Sequence, residues 1–279
     1  MSYKSILVHV DNTLASKQRV ALAIELAQSQ NAHLTGLAPT GVLYLPFGAG
    51  GDVTGLYYEQ AATALRDIAQ KGMDEFDKQV ALAGNISYES RVVDDDSSMA
   101  LTLHGHYADL VVLGQRDAST KGIAVDAVLP QHVLLHVARP VLVVPYAGTF
   151  SNIGQKVMVA WDAGRESARA VSDALPILKR AAQVQVVVFN GKQGPADAHG
   201  QEPGADIALF LARHGVKVEV SQEETSIDIG NALLSRMADY GTDLLVMGGY
   251  GHSRFRETML GGVTKTILDN MTVPVLMSH

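Results

Sequence analysis

Gly248, Gly251, Gly261, Gly262 and Thr264 have the composition of a phosphate cradle. Glycine admits positive φ and lets a ligand approach the backbone closely. Gly248-Gly249-Tyr250-Gly251 reads as a loop leaving an apolar strand that ends in Met247. Gly261-Gly262-Val263-Thr264 reads as a helix start, where unpaired N–H groups and the helix dipole favour an anion and Thr264 adds a hydroxyl. His252, Arg254 and Arg256 lie between the glycines and offer cations to a phosphate. Asp162, just past an earlier apolar run, is an acceptor suited to ribose hydroxyls. An acid at one end and an anion cradle at the other suit a nucleoside phosphate. A purely turn-forming role would explain Gly248 alone but not the whole set. The sequence has no GxxxxGK[ST] and no GxGxxG after its first strand, so two common nucleotide loops are excluded.

Other reactive residues give weaker patterns. His132 and His136 are four apart on an expected helix, the spacing of two metal ligands, but no third ligand accompanies them and no metal is expected. Asp94-Asp95-Asp96-Ser97 reads as an acidic helix start with Asp96 or Ser97 as its cap. No nucleophile–histidine–acid arrangement is visible. Cysteine is absent, which excludes disulfides and thiolate chemistry.

The elements that must position these residues occur twice. Asp109-Leu110-Val111-Val112-Leu113-Gly114 falls on Asp243-Leu244-Leu245-Val246-Met247-Gly248, a constant offset of 134 residues, and Arg139-Pro140-Val141-Leu142 falls on Val273-Pro274-Val275-Leu276 at the same offset. The first copy keeps Gly114 but has Asp117, Ala127, Val128 and Pro130 where the second has Gly251, Gly261, Gly262 and Thr264. The first strands align at an offset of 151, Asp11 on Asp162, so the first copy carries about 17 extra residues, placed mainly in the Gly-, Pro- and aromatic-rich stretch Pro39–Gly55. Tyr44 and Phe47 there, with Tyr57 and Tyr58 just beyond it, are candidates to cover a different ligand or a partner.

Short apolar runs alternate with amphipathic segments. Strands are expected at Ile6–Val10, His33–Ala38, Ile86–Val93, Leu110–Gly114 and Val141–Pro145, then at Lys156–Trp161, Val184–Asn190, Val216–Val220, Leu244–Gly248 and Val273–Met277. Helices are expected between them, including one from about Tyr57 to Ala83 and one from Val263 to Asn270. This alternation means an α/β fold with a parallel sheet and right-handed crossovers. Ligands of such sheets bind beyond the carboxyl ends of the strands, where the strand order reverses. If the fourth strand neighbours the first, Asp162 and Gly248 lie side by side. The domains are read as 1–148, with a degenerate nucleotide motif, and 152–279, with the motif largely intact.

The chain has 279 residues, 47 % of them hydrophobic and 18 % charged, enough for two packed cores. A net charge of −7 argues against nucleic acid as the main partner. The first apolar run is too short for a signal peptide, and no stretch approaches the ~20 apolar residues of a membrane span. The expectation is a cytoplasmic protein without membrane contact.

Gly248-x2-Gly251-x9-Gly261, followed by a helix and a closing Val-Pro-Val, resembles the universal stress protein family, and the resemblance covers the chain twice. It implies two flavodoxin-like (adenine nucleotide alpha hydrolase-like) domains, each a five-stranded parallel sheet with helices on both faces. It implies ATP, or ADP or AMP in its place, held with or without a metal ion by the glycine loop. Carried over, the site is Ala160, Trp161, Asp162, Phe189, Met247, Gly248, Gly251, His252, Gly261, Gly262, Val263 and Thr264. Gly262 departs from the family's serine or threonine. The function implied is a stress-response regulator whose nucleotide occupancy alters contacts with a protein partner. The alternatives are a slow ATPase or autophosphorylating enzyme, with Ser253, Thr258 or Thr264 as acceptor, or a protein-interaction module without nucleotide. Single-domain members of the family look like dimers joined through their last strand. Here the two final strands are expected to pair antiparallel within one chain, a pseudo-dimer, with a homodimer of chains as a further level.

Overall fold

The computed structural model describes residues 2–41, 52–117, 128–190, 202–251 and 262–279. The chain forms two compact units, one of Tyr3–Val137 and one whose body is Ala138–His279. The first holds β1 (Ser5–His9), α1 (Leu14–Gln30), β2 (His33–Pro39), α2 (Asp52–Ala83), β3 (Tyr88–Val93), α3 (Ser97–Gly105), β4 (Leu110–Gly114) and α4 (Leu129–His136). The second holds β5 (Val141–Val144), β6 (Lys156–Ala160), α5 (Arg165–Leu178), β7 (Gln183–Phe189), α6 (Ala205–Arg213), β8 (Val218–Glu223), α7 (Ile229–Tyr240), β9 (Leu244–Gly248), α8 (Gly262–Asn270) and β10 (Val275–Ser278).

In the first unit the strand order is β3-β2-β1-β4, all parallel. In the second it is β10-β9-β6-β7-β8, also parallel, with β5 added antiparallel to β10. The first strand of each repeat therefore lies between its second and fourth, as the flavodoxin-like α/β reading required. The central strands are buried on both faces, which is why they read as continuous apolar runs: Ile6, Val8, Leu110, Val112, Val157, Val159, Leu244 and Val246 expose none of their surface. The outer strands β3 and β8 carry Glu89 and Arg91, and Glu219 and Glu223, charges that discourage edge pairing.

The repeated aspartate has one job in both units. The Asp109 carboxylate accepts the Lys4 and Ser5 N–H groups, and that of Asp243 accepts those of Gly154, Gln155 and Lys156. Each ties the start of its fourth strand to the start of the first. Asp96 caps α3, accepting from the Ser98 and Met99 N–H groups, as the acidic run suggested. The final strands pair antiparallel with Leu142 opposite Leu276, as expected from two apolar edges on one chain.

The extra length of the first repeat is not mainly loop. α2 has 32 residues where its counterpart α6 has nine, and it begins at Asp52 rather than Tyr57. The glycine-rich composition hid the start of the helix, which tertiary packing holds farther along. Phe76 is fully buried against β2, and a Cβ on Gly36 would come within 2.7 Å of its ring. Tyr44 and Phe47 lie outside the described residues.

Candidate nucleotide site

The strand order of the second unit brings three carboxyl ends together. β6 delivers Ala160, Trp161 and Asp162, β7 delivers Phe189, and β9 delivers Met247 and Gly248. The Trp161 N–H donates to the Val187 carbonyl at 3.0 Å, which extends β6 along β7 and sets where the chain turns. Asp162 then stands exposed, one oxygen accepting the Gly164 N–H at 2.8 Å. This turn, with Ala163 at φ 57°, opens α5. At the end of β7, Asn190 takes φ 50° and exchanges side-chain hydrogen bonds with the Thr225 backbone.

The glycines divide by what they touch. Gly248 serves packing: a Cβ there would lie 2.6 Å from the Ser167 nitrogen and 2.8 Å from the Glu166 Cβ, so its absence lets the first turn of α5 sit on β9. Gly251 is exposed, and a Cβ there would lie 2.8 Å from Glu166 Oε2. A Cβ on Gly262, the first residue of α8, would meet none of the described atoms within 4 Å. Val263 is half-buried and Thr264 buried. The Thr264 hydroxyl oxygen accepts the Tyr250 N–H at 3.1 Å, so it fastens the glycine loop to α8. Tyr250 holds φ 59°, and burial, with the Asp269 charge, pushes its phenol up to about 12. The Gly249 N–H donates to the Ser278 carbonyl, and His279 Nδ1 donates to the Gly249 carbonyl. His252 and Gly261 lie outside the described residues, as do Ser253, Arg254, Arg256 and Thr258.

Sequence reasoning missed Glu166. It is buried beside the glycine loop, hydrogen-bonded by Arg165 at 2.5 and 3.1 Å. In sequence it is an ordinary acidic residue in a helix's first turn, and nothing in its spacing to Gly251 announces contact.

The matching place in the first unit is occupied by the protein itself. Arg19 is 3 % exposed and lies between β1 and β4. Its Nε donates to the His9 carbonyl at 2.7 Å, and NH2 donates to Asp11 at 2.8 Å and to Ser16 Oγ at 3.2 Å. A Cβ on Gly114 would collide with the guanidinium. Asp11 is thus kept but engaged, by Arg19 on one oxygen and by Thr13 on the other. The offset of 151 places Ala170 where the first unit has Arg19. At α4 the N-terminal turn contains Pro130, which has no N–H to offer, and no side chain caps it. Asp117 is half-buried, and Ala127 lies outside the described residues.

Burial, reinforced by the Arg19 charge, lowers the His9 pKa from 6.5 to about 4, against the opposing pull of Asp11. Burial raises the Asp11 pKa, but Arg19, His9 and the Thr13 hydrogen bond outweigh it and hold that carboxyl well below the usual range. Unfolded His9 takes a proton below pH 6.5 and folded His9 only below about 4, so its contribution is complete above 6.5 and lost as pH falls towards 4. The Asp11 contribution is present above the ordinary carboxylate range and is lost only on further acidification. At pH 5 the His9 loss is about 2 kcal/mol. Urea unfolding followed by circular dichroism at pH 7 and pH 5 should show that loss, and His9→Asn should show a smaller one. Equal losses in both proteins would contradict this assignment.

Elsewhere, the His132 and His136 rings stack with centroids 4.3 Å apart, and His136 Nδ1 donates to the His132 carbonyl at 2.8 Å. Among the described residues no three His, Cys, Asp or Glu side chains are grouped to hold a metal ion, and no helix is long and apolar enough to cross a membrane.

Comparison with known proteins gives concordant matches. The universal stress protein family model matches residues 2–145 and again residues 154–279. A universal stress protein of Synechocystis, Slr1230, is 27 % identical over 173 residues, which span 60 % of this chain and 57 % of that protein. The crystal structure of a universal stress protein from Archaeoglobus fulgidus superposes with a TM-score of 0.70 at 15 % identity, covering 98 % of this chain and 94 % of that one. A Pseudomonas aeruginosa protein of unknown function superposes with a TM-score of 0.59 at 15 % identity, covering 98 % and 92 %. These two likenesses concern the fold. The family match takes in both repeats, the aspartates that tie their strands and the glycine loop, and the protein belongs to the universal stress protein family.

Proposed function

We propose that this protein is a stress-response regulator that binds one adenine nucleotide, ATP or one of its lower phosphates, in the unit Ala138–His279. The supporting observation is the contrast between the two crevices. In one, Asp162 is exposed and Gly262 opens α8 with none of the described atoms within 4 Å of a Cβ placed on it; in the other, Arg19 fills the place. Asp162 would take the ribose hydroxyls, with Ala160, Trp161 and the Phe189 backbone beside the base. Gly248, Gly251, Gly262 and Val263 would offer backbone N–H groups to the phosphates. Met247 and Thr264 would support the loop, and His252 and Gly261 enter through the family motif. A metal ion accompanying the nucleotide would be held chiefly by its phosphates. Occupancy would alter the surface offered to a protein partner.

Asp162→Ala tests the ribose contact. Loss of a hydrogen bond to a charged acceptor is expected to weaken nucleotide binding by about tenfold. Calorimetry on the full chain measures it. Trp161, the chain's single tryptophan, adjoins the site, so its fluorescence should change on titration in both proteins with midpoints that match the calorimetry. Unaltered affinity in the variant would remove Asp162 from the site.

A further inference from the structure

Glu166 brings a fixed negative charge to the glycine loop. It lies in the first turn of α5 and is 7 % exposed. Its Cβ lies under Gly248, Arg165 donates twice to Oε1, and Oε2 faces Gly251. Burial pushes its pKa up, but hydrogen bonds from its own N–H and from Arg165, with the charges of Arg165 and His279, outweigh that and bring it below the usual value. The carboxyl is therefore ionised at neutral pH. Among the described residues its ion-pair partner is Arg165, which engages the other oxygen and is 64 % exposed, where solvent weakens the pair. The first repeat has Ala15 at the matching position, so this charge belongs to the second unit alone.

A phosphate taken up by the loop at Gly251 would stand beside this carboxylate, whose Oε2 lies 2.8 Å from where a Gly251 Cβ would be, and like charges so close repel. Resting on the nucleotide reading above, we propose that Glu166 is a specificity-determining residue, a charge filter that favours adenine nucleotides bringing the least phosphate charge to the glycine loop. AMP binds more tightly than ADP, and ADP more tightly than ATP, when no divalent cation is present. Magnesium bound to the phosphates cancels part of their charge and narrows the difference.

The test is calorimetry on the full chain with AMP, ADP and ATP in EDTA, and with ATP in excess Mg2+. In the wild type, Kd is expected to rise by roughly tenfold or more from AMP to ATP in EDTA, and Mg2+ to recover most of that. Glu166→Gln keeps the shape and removes the charge; its three Kd values should agree to within about threefold. Arg165→Ala, a surface change, should steepen the wild-type ranking. The ranking within each protein is independent of any partial loss of folded material. A wild type that binds all three equally, or a Glu166→Gln chain that keeps the wild-type ranking, overturns the filter while leaving the nucleotide site standing. No binding of any nucleotide to the wild type overturns both.

Discussion

A Gly251→Asp chain is expected to lose nucleotide binding by at least about a hundredfold in Kd, equivalent to roughly 2.7 kcal/mol. Three effects act together. The new Cβ would lie 2.8 Å from Glu166 Oε2, so the loop or the glutamate must shift. The new carboxylate stands against an ionised one, and it adds repulsion to any phosphate at the loop. Because Gly251 is exposed, the change should leave the fold intact, with an unchanged circular dichroism spectrum and thermal midpoint as the control. Gly262→Ser works in the opposite sense. Among the described residues no atom lies within 4 Å of a Cβ there, and the hydroxyl would restore the family's phosphate donor, so affinity should rise by several-fold. Wild-type affinity in Gly251→Asp would mean that the ligand, if any, lies elsewhere.

The second large effect is on stability. Arg19→Ala should destabilise the unit Tyr3–Val137 by about 3 kcal/mol, because removing the buried cation takes one donor each from its carboxylate partner Asp11, the His9 carbonyl and Ser16 Oγ. The figure sits at the lower end for a broken buried pair because the Asp11 side chain is 32 % exposed and water can screen it. Arg19→Lys should recover only part, since an ammonium cannot match the planar fork that reaches His9, Asp11 and Ser16 together. Thermal unfolding followed by circular dichroism should show a fall of roughly 10 °C. Trp161 lies in the other unit and reports that unit's unfolding separately by fluorescence, where a smaller change is expected. If both signals fall equally, or neither falls, the local role of Arg19 is wrong.

The sequence carried the architecture because the physics of a doubly covered parallel sheet writes itself into apolar runs. Leu110–Leu113 and Leu244–Met247 are readable as strands since almost every residue in them is buried. The repeated aspartates fixed the register of the two halves because each performs the same strand-tying function. The edge strands were less legible: β8 ends at Glu223, beyond the apolar run that announced it, because an outer strand needs an apolar face only on one side. The length of α2 was hidden by Gly55 and the composition before it. At the site, glycines and Asp162 stood out by type and spacing. Arg19 and Glu166 did not, since a charged residue on a helix is ordinary until the fold shows it turned inward. The Pro130 substitution was legible as a lost N–H; the guanidinium filling the crevice was not.

The two repeats are best tested together. A cut between residues 148 and 152 would take β5 away from β10 and expose two apolar strand edges. Calorimetric titration of the full chain with ATP in excess Mg2+ therefore bears most directly on the central claim, one nucleotide site per chain in the unit Ala138–His279. The predicted result is a stoichiometry of one that falls to zero in Gly251→Asp and stays at one in Arg19→Lys. Two sites per chain, none, or one that survives Gly251→Asp would contradict it.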